Sequence, residues 1–127
     1  MKFKMGWTLN EYGGNQQVST WNDILNQLVQ LQGREGTLTL DALSTVGNGV
    51  EMLQVRTEND YYLMTLGEIL EDEYQVRTYW NPLGPDDEIM ILGDHWPLRQ
   101  ITKDFDLVVK IFKEFFDTGN VSTDLLN

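Results

Sequence analysis

Met52-Leu53-Gln54-Val55-Arg56-Thr57, then Glu58-Asn59-Asp60, then Tyr61-Tyr62-Leu63-Met64-Thr65-Leu66, is the stretch that decides the fold. Apolar and polar side chains alternate in both segments, less cleanly in the first. Asn and Asp stand between them, where a tight reversal needs residues that tolerate positive φ. Two strands joined by a short turn are the expectation. Upstream, Thr37-Leu38-Thr39-Leu40 has the same period of two, and Gly47-Asn48-Gly49 supplies another turn signal before Met52. An antiparallel meander follows from this pattern.

Working outward, Lys2 to Asn10 reads as a first strand, and the paired glycines of Glu11-Tyr12-Gly13-Gly14-Asn15 read as a turn. Thr20 is a suitable N-cap with Asp23 three residues later. Trp21, Ile24, Leu25, Leu28, Val29 and Leu31 recur at helical spacing until Gly33. Tyr74 to Trp80 and Glu88 to Leu92 read as a further hairpin across Asn81-Pro82-Leu83-Gly84-Pro85-Asp86-Asp87. A second helix carries Leu107, Val108, Ile111, Phe112 and Phe115 on one stripe, with Asp104 or Asp106 as its cap and Gly119 as its stop. After it, Val121 to Asn127 is expected to pack briefly and fray. The elements predict one α+β domain over residues 1–127, an antiparallel sheet of about five to six strands with two helices packed on one face.

The 127 residues are 41% hydrophobic and include fourteen aromatic side chains, enough for a real core. Twenty acidic residues against nine basic ones leave a net charge of -11. Residues 1–60 carry four basic and seven acidic side chains, residues 61–127 five and thirteen, so the second part holds most of the excess. Such a surface repels nucleic acid and anionic lipid and attracts basic proteins over a Debye length of about 8 Å at physiological salt. The amino-terminal residues lack the apolar run of a secretory signal, and no segment approaches the roughly 20 apolar residues of a membrane span. A cytoplasmic protein with no membrane partner is the expectation.

Reactive constellations are sparse. There is no cysteine, which excludes disulfides, thiolate zinc sites and cysteine nucleophiles. His95 is the sole histidine, and Ser19, Ser44 and Ser122 lie outside any Gly-x-Ser-x-Gly elbow. Asp94, His95, Asp104 and Asp106 match neither a helical zinc motif nor a calcium loop. The glycine pairs lack the lysine and helix of a phosphate cradle. These residues predict no catalytic group, no metal and no cofactor. Tyr61, Tyr62, Tyr74, Tyr79 and Trp80 neighbour acids instead of the lysines and arginines that a base-stacking platform requires, which argues against nucleic acid.

What stands out is acid mixed with aromatics. Eight carboxylates fall within 27 residues, in Glu68-Ile69-Leu70-Glu71-Asp72-Glu73-Tyr74, Asp86-Asp87-Glu88 and Asp94. At a protein interface, charges steer encounter and aromatic side chains supply desolvated anchors. Glu68, Glu71, Asp72, Glu73, Asp86, Asp87 and Glu88 are therefore the candidate electrostatic contacts, and Tyr74, Tyr79 and Trp80 the candidate anchors.

The passage Ile89-Met90-Ile91-Leu92-Gly93-Asp94-His95-Trp96-Pro97, followed by Asp106-Leu107-Val108-Val109-Lys110-Ile111-Phe112-Lys113-Glu114-Phe115-Phe116-Asp117-Thr118-Gly119, resembles the end of small bacterial immunity proteins. Those proteins accompany polymorphic and contact-dependent growth-inhibition toxins. In them a meander, a strand and a turn lead to a helix ending in a Glu-Phe-x-x-x-Gly-like sequence; the tryptophan that often closes their tail is missing from Val121 to Asn127. The resemblance implies an antitoxin that binds a cognate toxin domain, often a basic nuclease, in the cytosol. The alternative is a small-molecule or peptide-binding domain with a pocket beside Trp21 or Trp96, its acidity serving solubility alone. A third reading is a metal-assisted enzyme built on His95, Asp94 and nearby carboxylates.

Overall fold

The computed structural model describes residues 3–18, 20–43 and 49–127. Gly47 and Asn48 of the expected turn, with Ser19 and Ser44, lie outside these residues. Nine strands and two helices follow in the order β1 (Phe3–Leu9), β2 (Tyr12–Val18), α1 (Trp21–Gln30), β3 (Gly36–Ala42), β4 (Gly49–Glu58), β5 (Tyr61–Leu70), β6 (Glu73–Thr78), β7 (Glu88–Ile91), β8 (Asp94–Pro97), β9 (Ile101–Thr102) and α2 (Phe105–Thr118). The main sheet is antiparallel in the order β2-β1-β3-β4-β5-β6, and β9 also pairs with β5. β5 is thus flanked on its outer side by β6 along Thr65 to Leu70 and by β9 at Tyr62 and Leu63.

Alternation along the strands sorts the core. Phe3, Met5, Leu38, Leu40, Leu53, Val55, Tyr62, Met64 and Leu66 point to one face and are buried there beneath both helices. Against them α1 sets Ile24 and Leu28, and α2 sets Val108, Ile111, Phe112 and Phe115. The rings of Phe3 and Phe115 lie 5.3 Å apart, and those of Trp21 and Phe116 6.0 Å. The caps are the expected ones: Thr20 Oγ1 accepts from the Asp23 amide, Asp104 accepts from the Leu107 amide, and Gly119 ends α2 with φ 79°.

The opposite face is only partly covered. There β7 and β8 form a separate hairpin whose Ile91 packs with Leu63 and Ile101, flanked by Ile89, Leu92 and Trp96. The Arg56 guanidinium lies 5.7 Å from the centre of the Trp96 ring, and Glu58 Oε1 accepts the Leu92 amide at 2.8 Å. Farther along, this face is a polar ladder: the Thr8 and Thr37 hydroxyls are 2.9 Å apart, and Gln54 links Thr39 to Arg56.

Three expectations change. The chain reverses at Asn10-Glu11, so Gly13 and Gly14 belong to β2. Gly14 lies directly opposite Trp7, and a Cβ there would meet the indole at 2.6 Å, so glycine in this strand makes room for a tryptophan. Tyr74 to Trp80 does not pair with Glu88 to Leu92. β6 pairs with β5 across Glu71-Asp72, and β7 pairs with β8 across Leu92-Gly93. The short two-residue turns won over the long proline loop because each closes its pairing with less chain to order. The carboxyl-terminal segment does not fray, since Val121 and Leu126 are buried and Asn127 exchanges two main-chain bonds with Thr78. The expected α+β fold holds: the sheet path β2-β1-β3-β4-β5-β6 has six strands, and β9 adds a seventh on β5.

Candidate functional site

The hairpin of β5 and β6 carries the densest acid. Leu70 pairs with Glu73, and the two residues between them have φ 52° at Glu71 and 65° at Asp72, the left-handed pair of a type I′ turn. Asn59-Asp60 and Leu92-Gly93 repeat this geometry at two other hairpin tips. The twist of the flanking strands therefore selects the turn, and Glu71 accepts a conformation that costs a side-chain-bearing residue about 1 kcal/mol.

The turn places Glu71, Asp72 and Glu73 in solvent. Their side chains make no hydrogen bond or ion pair with any other described residue. Beside them Leu70, Tyr74 and Val76 are exposed by 43%, 55% and 54%, an unusual density of apolar surface for seven residues of hairpin. Tyr74 lies over β5 at Gly67, where a Cβ would fall 2.0 Å from the phenol oxygen. Gly67 thus lets the ring lie across the open face of the sheet.

Glu68 differs from its acidic neighbours. It faces the helix side, 12% exposed, with a carboxylate oxygen 3.9 Å from the Arg77 guanidinium. Arg77 is the hub of this corner. Its Nε and Nη2 donate to the Leu126 carbonyl at 3.1 and 2.9 Å, Nη2 also donates to the Val121 carbonyl, and Nη1 donates to Asn120 Oδ1 at 3.0 Å. The fork holds the carboxyl-terminal turn against the sheet. Arg77 was not among the candidates read from the sequence, although it is the only cation between Arg56 and Arg99. Leu70 and Val76 were missed too, because alternation marks a strand without revealing which strand lies at an edge.

The remaining candidates separate. Tyr79 is half-buried against the main core, while Trp80 is 42% exposed. Asp86 pairs with Arg99 at 2.8 Å, the Asp87 carbonyl accepts the Leu98 amide at 2.8 Å, and Glu88 is exposed at the start of β7. β6 lies between the two acidic segments, six residues or about 20 Å of strand. The candidates therefore form two surfaces, of which the hairpin tip joins uncompensated charge to exposed apolar side chains.

At the far end of the sheet an open cleft of about 450 Å³ is lined by Asn10, Gly33, Arg34, Glu35, Asn59 and Asp60. Asp60 Oδ1 accepts the Gly33 amide at 2.8 Å, and Asn10 Oδ1 accepts the Glu35 amide at 3.3 Å, so these side chains lock loops together. Tyr62 lies beneath, and burial, followed by the Asp60 carboxylate, raises its phenol above the usual tyrosine range. Trp21 and Trp96 do not line this cleft. His95 is exposed on β8, and no grouping of three or more metal-ligating side chains occurs among the described residues. No helix among them is long and apolar enough to cross a membrane.

A crystal structure described as that of a hypothetical protein from Neisseria gonorrhoeae has the same fold. Its TM-score is 0.78 at 22% identity, covering 96% of this chain and 91% of that one. No curated protein matches. The profile of the family of unknown function DUF6911 matches residues 2–125, so the chain belongs to that family.

Proposed function

We propose that the protein is a neutralising partner of a basic toxin domain, an immunity protein acting in the cytosol. The observation that carries this reading is the tip of the β5–β6 hairpin. Glu71, Asp72 and Glu73 stand there without compensating cations, beside exposed Leu70, Tyr74 and Val76. Acid attracts a basic surface from a distance, and the apolar side chains give the encounter something to bury. A toxin that grips nucleic acid carries a basic cleft, and a folded acidic hairpin enters such a cleft as a phosphate mimic. Binding of this kind needs no catalytic group, and the resemblance of the carboxyl-terminal third to immunity proteins points the same way.

The test is coexpression with each basic protein domain encoded by the genes adjacent to its own. Growth rescue and a stoichiometric complex at low salt are the expected results; a folded protein that forms no complex overturns the proposal. With the complex in hand, Glu71→Lys, Asp72→Lys and Glu73→Lys together should slow association about tenfold or more at low ionic strength while leaving folding intact. Unchanged association kinetics would remove the hairpin from the interface.

A second reading, a small-molecule or peptide-binding domain, draws on the open cleft at Asn10, Arg34 and Asp60. It predicts a compact ligand bound with little salt dependence, and protection of the Gly33 and Glu35 amides instead of the hairpin.

A further inference from the structure

The outer edge of β6 is a half-filled strand position. Thr78 turns both main-chain groups away from β5: its amide donates to the Asn127 carbonyl at 3.3 Å, and its carbonyl accepts the Asn127 amide at 2.9 Å. That reciprocal pair is one rung of an antiparallel ladder. The register of β6 on β5 runs without a break from Thr78 to Glu73. The alternation that turns Thr78 outward therefore turns Val76 and Tyr74 outward as well, while Arg77, Gln75 and Glu73 bond to β5. No other described residue bonds the main-chain groups of Tyr74 or Val76. Two amides and two carbonyls thus stand open between a rung already occupied by the carboxyl-terminal segment and the acidic tip.

We propose that β6 takes up an extended, lysine- or arginine-bearing segment of the partner protein as an added strand, bonded at Tyr74 and Val76. This rests on the reading of the protein as the binder of a basic protein and names how that partner is held. The Asn127 rung shows that this edge takes a reciprocal pair of main-chain bonds, at 3.3 and 2.9 Å, from a residue outside the sheet. Alternation gives the incoming segment two kinds of neighbour: Tyr74 and Val76 on the open face of the sheet, Glu73 and Gln75 on the other. Glu71 and Asp72 close its far end. Apolar residues opposite Tyr74 and Val76, with cations alternating toward Glu73 and the tip, match that edge. A second copy of this chain fits worse, because it brings another net charge of -11 and a second acidic turn to the same edge. The other sheet edge, β2, is Tyr12-Gly13-Gly14-Asn15-Gln16-Gln17-Val18 and offers no charge to select a partner.

Amide exchange on the isotopically labelled protein, titrated with the blocked hexapeptide acetyl-Lys-Val-Lys-Val-Lys-Val-amide, tests this. At a peptide concentration about ten times its Kd, exchange at Tyr74 and Val76 should slow roughly elevenfold, with Gln75 and Arg77 already slow in the free protein. Val76→Pro removes an outward donor and leaves the β5 ladder intact, so it should weaken the peptide while preserving the fold. Tyr74→Ala serves as a second variant that keeps every main-chain group.

The idea is overturned if peptide protection maps to the acids of α2, if no protection arises at millimolar peptide, or if a folded Val76→Pro binds unchanged. Slowing at Tyr74 and Val76 that grows with protein concentration in the absence of peptide would assign the edge to a second copy instead. A peptide seated on β6 with no binding of any basic domain encoded by the adjacent genes defeats the neutralising function and leaves the added strand standing. A toxin complex in which Tyr74 and Val76 exchange as in the free protein does the reverse.

Discussion

Replacing Arg77 by methionine keeps the apolar stem on the sheet and removes the guanidinium that ties the carboxyl-terminal turn to β6. Four hydrogen bonds are lost, to the carbonyls of Leu126 and Val121 and to Asn120, and Glu68 is left 12% exposed without its cation. Each charge-assisted bond contributes about 1.5 to 3 kcal/mol, but the four share one side chain and are not additive. The pair with Glu68 is long, 3.9 Å, and only partly buried, so the loss of the guanidinium as a whole should cost about 1.5 to 3 kcal/mol. For a urea m-value of about 2 kcal/mol/M, the midpoint should fall by roughly 0.75 to 1.5 M, read by tryptophan fluorescence. Amide exchange at Thr78 should accelerate more than exchange in α2, since the rung with Asn127 depends on the clamp. Glu68→Gln combined with Arg77→Met should cost less than the sum of the two, because the double variant strands no carboxylate. A loss below about 1 kcal/mol with the Thr78 amide still protected would refute the clamp and leave the turn held by Val121 and Leu126 alone.

The strained tip gives a prediction of opposite sign: Glu71→Asn with Asp72→Gly installs the preferred type I′ pair and should raise stability by about 1 to 2 kcal/mol in the same urea assay. Gly67→Ala should leave stability nearly unchanged, since the atom in the way is the end of a flexible side chain, and should displace Tyr74, seen as altered ring chemical shifts. Tyr62 has a raised pKa in the folded state, so between the ordinary tyrosine value near 10 and that raised value the unfolded chain binds fewer protons and stability must fall with rising pH. Ultraviolet titration should show a late-ionising tyrosine component that Tyr62→Phe removes, together with its part of the alkaline loss.

The fold was legible where a single period governs a segment. Both helices, their caps, and the strands from Thr37 to Leu66 announce themselves because one face of each is buried under one continuous core. β2 was hidden because Gly13 and Gly14 serve a neighbour's indole, and that neighbour is identified only by pairing. The hairpin partners of β6 and β7 were misread for a related reason. Glu71-Asp72 is a poor turn by composition, and the twist of the strands imposes it. The acidic aromatic run was legible as composition, yet its division into a partly buried ion pair at Glu68, an exposed tip and a separate loop depends on which strand is the edge.

The Thr78–Asn127 rung also bears on how the protein is prepared. Because that pairing is antiparallel, residues appended after Asn127 are launched along β6 toward Val76 and Tyr74, and a hexahistidine or basic tag placed there becomes an intramolecular occupant of the edge at high effective concentration. Tags belong at the other terminus, where Phe3 pairs with Val18 and Ala42.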